Sequence, residues 1–326
     1  MPALLSIEGL DVSFALPHRN VCAARQVSLA VQPGECVGVV GESGSGKTQV
    51  FMAVMGLLAG NAVSRGSVRF GGEEMLGASL EQLNRTRGSK LTMIFQDPMT
   101  SLTPHLKIGT QLAEVLVIHA GKSWRAARAA ACRMLERVRV PEAERRLNQY
   151  PHELSGGLRQ RVMIGMSLLC EPMLVIADEP TTALDVTVQA QIIDLLGAMR
   201  RELGMALVLI SHDLGVVAGL ADRILVMYAG RIVESAGAIE LFRQPQHPYT
   251  AELLKCIPSL SGPRLDRLPT LPGQPPQPGD SLDGCAFAPR CSRAAERCRK
   301  ERPVLRPEAG VHEAQVACHF PLSPST

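Results

Sequence analysis

Four short apolar runs punctuate the chain, and each ends on a polar residue. Cys36–Val40 runs into a glycine-rich loop, 91–95 into Gln96, 174–177 into Asp178-Glu179, and 206–210 into Ser211-His212. Runs this short, apolar on both faces, predict strands of a parallel sheet covered on both sides. Helical spacing at 49–58 and over Val186–Leu203 supplies helices between them. Residues 4–14, 27–32 and, after a turn expected at Gly66, 67–70 alternate, which predicts an antiparallel sheet beside the first run. Residues 108–118 and 123–138 have helical spacing, so a helical insert is expected between Gln96 and Ser155. Residues 224–233, with Gly230 at their centre, predict a hairpin that closes the sheet. In open α/β sheets ligands bind beyond the carboxyl ends of the strands, so four runs that each deliver a polar residue there describe one site.

Composition changes this picture mainly at the C-terminal end. From about Gln244 the prolines crowd, with Pro245, Pro248, Pro258, Pro263, Pro269, Pro272, Pro275, Pro276 and Pro278 breaking any long element, and a boundary is expected near 245–260. The tail beyond it carries Cys285, Cys291, Cys298 and Cys318 and a basic cluster of Arg290, Arg293, Arg297, Arg299, Lys300 and Arg302. That cluster reads as a solvated face, with anionic lipid headgroups as the other option. A net charge of +3 gives no strong electrostatic case for nucleic acid. No charged segment followed by an apolar one opens the chain, and no window of 18 apolar residues occurs, so neither a signal peptide nor a membrane span is expected. Nine cysteines, an odd number, fit cytosolic thiols better than a disulfide framework.

The loop after the first run reads Gly41-Glu42-Ser43-Gly44-Ser45-Gly46-Lys47-Thr48, which fits G-x-x-x-x-G-K-[ST] between a strand and a helix. Its glycines let successive backbone N–H groups point at one anion, and the helix start adds unpaired N–H groups. Lys47 reaches the β- and γ-phosphates of a nucleotide and the Thr48 hydroxyl takes Mg²⁺. Asp178, at a strand end, is the second magnesium residue, held through water. Glu179 beside it is the candidate general base. Gln96 orients the attacking water or touches the metal, and His212 hydrogen-bonds the γ-phosphate; a lone Gln or His in such a place is more often structural. Phe14, at the end of the first strand, stacks on an adenine ring or belongs to the core. Trp124 is assigned no role.

Residues 154–161, Leu-Ser-Gly-Gly-Leu-Arg-Gln-Arg, complete an ordered set: GESGSGKT at 41–48, FQDP at 95–98, LSGG at 154–157, LVIADEP at 174–180, ALD at 183–185 and SHD at 211–213. In these the sequence resembles the ATPase subunits of ABC transporters. The resemblance implies an α/β fold with a P-loop NTPase core, an antiparallel β-subdomain and a helical subdomain (about 98–160) within residues 1–250. It implies that Ser155, Gly156 and Gly157 clamp the ATP of an opposite subunit, with Asp185 near that interface, and that Gln96 lies near the surface that docks membrane partners. The clamp makes physical sense: two glycines at a helix start allow close backbone approach, and Ser155 adds a hydroxyl.

His247-Pro248-Tyr249-Thr250, Leu271-Pro272-Gly273 and 285–291 are similar to the C-terminal extension (251–326) of dipeptide/oligopeptide importer ATPases. Thr103 and Leu158 depart from that subfamily's usual Asn and Met without removing a reacting group. The implied protein hydrolyses ATP to power import of peptides. It lies on the cytoplasmic face of the membrane, with a second ATPase subunit (a paralogue), two transmembrane permease subunits and, indirectly, an extracytoplasmic solute-binding protein. Import of nickel or another small solute, or a soluble ATPase acting on nucleic acid or ribosomes, are the alternatives. The tail cysteines, with gaps of five, six and nineteen residues, lack C-x₂-C zinc spacing. Four thiolates can hold an iron–sulfur cluster or Zn²⁺, and the resemblance implies a 4Fe–4S cluster on Cys285, Cys291, Cys298 and Cys318; four reduced, unligated cysteines are the alternative. Cys22, Cys36, Cys132, Cys170 and Cys256 read as structural.

Overall fold

The computed structural model describes residues 2–97, 101–182, 184–257, 271–277, 280, 283–307 and 314–322. In chain order the elements begin β1 (Leu5–Leu16), β2 (Arg19–Val31), β3 (Cys36–Val40), α1 (Lys47–Val54), β4 (Ala62–Phe70), β5 (Glu73–Glu74), α2 (Leu80–Thr86) and β6 (Leu91–Ile94). There follow α3 (Ile108–Ala120), α4 (Trp124–Arg137), α5 (Ala143–Arg146), α6 (Gly156–Leu168), β7 (Leu174–Asp178), α7 (Val186–Leu203) and β8 (Ala206–Ser211). The last are α8 (Leu214–Ala218), β9 (Arg223–Tyr228), β10 (Arg231–Gly237), α9 (Ala238–Arg243), α10 (Pro248–Lys255), α11 (Glu296–Lys300), β11 (Arg306–Pro307) and β12 (Gln315–Val316). Pro98 of FQDP with Met99 and Thr100 after it, Ala183 of ALD, and Pro258, Pro263, Pro269 and Pro278 of the tail lie outside the described residues.

The chain divides into two compact units. The first holds residues 1–31, 36–77 and 211–326. Its antiparallel sheet runs β2-β1-β4-β5, and a second run is β11-β12-β10-β9-β3. Strand β3 pairs parallel with β9, Val37 opposite Arg223 and Val40 opposite Val226. All five residues of β3 are buried, as two covered faces require. The expected hairpin is present, with β9 and β10 antiparallel about Ala229-Gly230.

Two expectations need correction here. The strand expected from residue 27 starts at Arg19, because β2 carries a kink at Gln26 (φ 51°) and continues on its far side. Gln26 N–H donates to Asp11 Oδ1 across that kink at 2.9 Å. Gly66 is not a turn: it lies inside β4, whose pairing with β1 slips between Glu8 and Asp11, so the strand reaches back to Ala62. A bulge of this kind interrupts the alternation that a strand is read from.

The second unit holds residues 32–35 and 78–210. Its strands run parallel in the order β8-β7-β6, with Leu91 opposite Leu174 and Leu174 opposite Ala206. Every residue of β6, β7 and β8 is buried. The helical stretch packs α3 on α4 and α4 on α6. Ser123 caps α4, and Gly121, at φ 62°, ends the helix before it. Trp124, at the start of α4, is exposed. A short helix the pattern did not suggest, α2, is closed by a capping box between Ser79 and Gln82. Helix α7 occupies the expected 186–203, capped by the Asp185 carboxylate.

Candidate nucleotide site

In the first unit the loop 41–48 follows β3 and opens α1. Helix α1 starts at Lys47, two residues earlier than the spacing predicts, because Gly46 (φ 94°) turns the chain directly into it. A Cβ at Gly46 would lie 2.0 Å from the Ala23 carbonyl oxygen, and one at Gly41 (φ 152°) 2.2 Å from that of Met227. Both positions therefore demand glycine, because the loop lies directly against the backbone of Ala23 and Met227. Lys47 is 5% exposed. Its Nζ donates to the carbonyl oxygens of Gly41 (2.7 Å) and Glu42 (3.0 Å) and to Ser45 Oγ (3.4 Å). The ammonium is thus centred inside the curl of the loop. Ser43 and Gly44 are exposed, while Ser45 is buried and Thr48 half-buried.

Glu42 is held from outside the loop on two sides. Its N–H donates to the Tyr249 hydroxyl at 3.0 Å. Its carboxylate receives Arg290 Nη1 at 2.7 Å and Nη2 at 2.8 Å. Arg290 is the exception to the expected solvated basic face: its side chain is 4% exposed. It also donates to the Pro272 carbonyl and to the Tyr228 hydroxyl. The Glu42 bond raises its guanidinium further above the usual arginine range. Other members of that cluster behave as expected, Arg297 pairing with Glu301 and Lys300 with Glu296 on the surface of α11. Nothing in the sequence singled out Arg290 from its neighbours.

In the second unit β7 ends at Asp178, 3% exposed, and Glu179 follows at φ 45°, a left-handed conformation that costs a non-glycine residue energy. Glu179 N–H donates to the Ile210 carbonyl at 2.9 Å. Its Oε2 accepts from Gln96 Nε2 (3.0 Å) and the Thr182 hydroxyl (2.9 Å). Gln96 and Glu179, 83 residues apart, are brought together as the strand-end pattern implied; Thr182 was not anticipated. Ser155 is exposed and caps α6, its Oγ accepting from Leu158 N–H at 3.4 Å. Gly157 lies against Val188 of α7, where a Cβ would meet Val188 Cγ1 at 3.1 Å. Asp185 is exposed, and its Oδ1 accepts from Val188 N–H at 2.9 Å. The LSGG helix start and the Asp185 cap thus sit side by side.

His212, in the first unit, is exposed just after β8. Phe14 is half-buried on β1, opposite Val21 and Ala62. In the tail, Cys285, Cys291, Cys298 and Cys318 line one small cavity of about 20 Å³ together with His247, Phe287 and Ala288. Burial pushes the Cys285 thiol up, and Cys318 to about 11. Among the described residues no group of three or more His, Cys, Asp or Glu is placed to hold a metal ion as the side chains stand.

Comparison with known proteins agrees with this arrangement. Residues 24–182 match the ABC transporter family, and residues 233–298 match the family described as oligopeptide/dipeptide transporter, C-terminal region. The chain is 50% identical over 301 residues to the oligopeptide transport ATP-binding protein OppD of Salmonella typhimurium, covering 92% of this chain and 90% of that one. It is 49% identical to OppD of Escherichia coli, over 93% of this chain and 89% of that one. Among solved structures, the ATP-binding cassette MJ0796 in a post-hydrolysis state bound to ADP and Pi superimposes with a TM-score of 0.65 at 26% identity, covering 72% of this chain and 98% of that one. The chain therefore belongs to the ABC transporter family, as an ATPase with the C-terminal region of the oligopeptide/dipeptide transporters.

Proposed function

We propose that this chain is the ATP-hydrolysing subunit that powers import of dipeptides and oligopeptides through a membrane transporter. The observation that carries the chemistry is the loop 41–48, with Lys47 buried at its centre, on a chain about half identical to OppD along most of its length. The loop N–H groups and Lys47 bind the phosphates. Thr48 and Asp178 offer the hydroxyl and carboxylate oxygens that magnesium favours. Bound there, magnesium neutralises charge on the phosphates. Glu179 accepts the proton of the attacking water, Gln96 orients that carboxylate and the water, and His212 meets the γ-phosphate. Phe14 stacks on the adenine. Catalysis is largely positioning and electrostatic stabilisation.

Ser155, Gly156, Gly157 and Asp185 form the face offered to ATP on a second ATPase subunit, most simply a paralogue. In support, one matched cassette structure is described as dimeric, and Ser155, Gly156 and Asp185 are all exposed. Two permease subunits and an extracytoplasmic solute-binding protein complete the assembly on the cytoplasmic face of the membrane. No helix among the described residues is long and apolar enough to cross a membrane, so attachment in this reading is through those subunits.

The four tail cysteines hold a 4Fe–4S cluster. What supports this is their shared cavity. Anaerobic purification with iron, sulfide and zinc assay tests it: about four irons per chain is expected, and a folded protein free of metal overturns it.

The functional test is uptake of labelled di- and oligopeptides in cells lacking the native copy. Uptake restored by the wild type and not by Glu179→Gln is the expected result. Equal uptake in both, with both proteins expressed, would remove peptides as the cargo driven by this site.

A further inference from the structure

The phosphate loop carries an acidic residue where an anion must bind, and the tail neutralises it. Glu42 is the second residue of the loop, and its own carbonyl is one of the two that hold Lys47 Nζ. A lone carboxylate there would repel a triphosphate. It is not alone: Arg290, 248 residues away in sequence, meets it with two parallel N–H···O bonds. Such a paired contact needs the planar fork of an arginine, which a lysine ammonium lacks.

Arg290 is itself fixed on every side. Its Nε donates to the Pro272 carbonyl at 2.8 Å, and its guanidinium lies 5.8 Å from the Tyr228 ring centre and 6.0 Å from that of Phe287. Tyr228, Tyr249 and Phe287 pack against one another with ring centres 4.6–5.4 Å apart. The segment Gln274–Gln277, just beyond Pro272, lines a cavity of about 270 Å³ with Glu42, Ser43, Gly44 and Ser45. The tail therefore reaches the loop at two places, Gln274–Gln277 and Arg290, and Arg290 is where its charge arrives.

We infer that Arg290 is a positioning residue for ATP binding: it holds Glu42, and through the Glu42 carbonyl the Lys47 ammonium, in the arrangement that accepts phosphate. This rests on the ATPase activity of the chain and gives the tail a part in it. In this role Arg290 needs no contact with phosphate. It acts by cancelling the Glu42 charge and by fixing the loop backbone from behind. The same short stretch, 285–291, also carries Cys285 and Cys291, so whatever orders those cysteines also orders Arg290.

The test uses the full chain and four proteins: wild type, Arg290→Gln, Glu42→Gln and the double variant. In Arg290→Gln the uncancelled carboxylate and the loosened loop act together, so KM for ATP should rise by about tenfold or more while kcat changes by less than about threefold. Glu42→Gln loses the anchor but also the repulsion, so its KM should rise less. The double variant should match Glu42→Gln, because Arg290 has nothing left to cancel. Arg290→Lys, which keeps the charge and loses the paired bonds, should recover part of the loss. Glu42→Gln leaves the tail untouched, so it separates loop from tail effects if Arg290→Gln proves poorly folded. Arg290→Gln with KM within twofold of wild type, or single effects that simply add in the double variant, overturns the inference. A wild type that does not hydrolyse ATP at all would instead remove the activity it rests on.

Discussion

Glu179 Oε2 accepts from Gln96 Nε2 at 3.0 Å, so two strands of one parallel sheet, β6 and β7, deliver at their ends a carboxylate and the amide that orients it. The Thr182 hydroxyl reaches the same oxygen. A carboxylate placed this way, on a backbone held at φ 45°, has little freedom to turn aside.

Replacing Glu179 by Gln keeps the shape and the capacity to accept one hydrogen bond from Gln96 or Thr182, but not the basicity. ATP binding should be retained within about threefold and hydrolysis should fall by about a hundredfold or more, the range lost with a general base. Nucleotide binding by equilibrium titration and phosphate release under saturating ATP separate the two. Hydrolysis near the wild-type rate would take the base role from Glu179.

Gln96 tests the same pair from the other side. Gln96→Ala removes the donor and should slow hydrolysis by about tenfold, with nucleotide affinity kept. Hydrolysis at the wild-type rate in Gln96→Ala would mean that the two side chains do not meet during turnover.

The meeting of Gln96 and Glu179 was legible in the sequence because parallel strands place their carboxyl ends together, and buried strands are read from unbroken apolar runs. The phosphate loop was legible for the same reason, being bounded by one such strand and a helix. Less could be read where alternation is interrupted: the kink at Gln26 hides the first half of β2, and the bulge at Gly66 looks like a turn. Arg290 shows a different limit. It sits among five other basic residues, and only the fold shows that it faces Glu42 while Arg297 and Lys300 face solvent and their own helix neighbours. Thr182 was missed because a threonine three residues past a carboxylate pair carries no spacing signal of its own.

Glu234 on β10 links the sheet to the tail. It is 1% exposed, and its two carboxylate oxygens accept from the N–H groups of Gln246 (2.6 Å) and His247 (3.0 Å). His247 Nδ1 then accepts from Tyr249 N–H at 3.0 Å, so the entry into α10 is fixed step by step toward the Tyr249 hydroxyl that meets Glu42. Glu234→Leu strands two buried donors and should lower stability by about 2–5 kcal/mol. Glu234→Gln keeps one good acceptor and should cost less. Urea midpoints at pH 7 give the comparison; equal midpoints for wild type and Glu234→Leu would show that the entry to α10 does not depend on this carboxylate.

Lys47 decides whether the loop is built for phosphate or merely stabilised by its own lysine. Its ammonium already satisfies two loop carbonyls and the Ser45 hydroxyl, so removing it affects both the loop and any ligand. If the role were internal only, Lys47→Met would lower stability and leave the affinity of the folded protein for nucleotide nearly unchanged. If the ammonium serves the β- and γ-phosphates, the affinity should fall selectively: ATP by about tenfold or more, AMP by little, because AMP has no phosphate beyond the α position. Titrating ATP, ADP and AMP against wild type and Lys47→Met, at a temperature where both are folded, reads this directly. A loss shared equally by ATP and AMP would mark a collapsed loop, whereas a graded loss that follows phosphate number assigns Lys47 to the triphosphate.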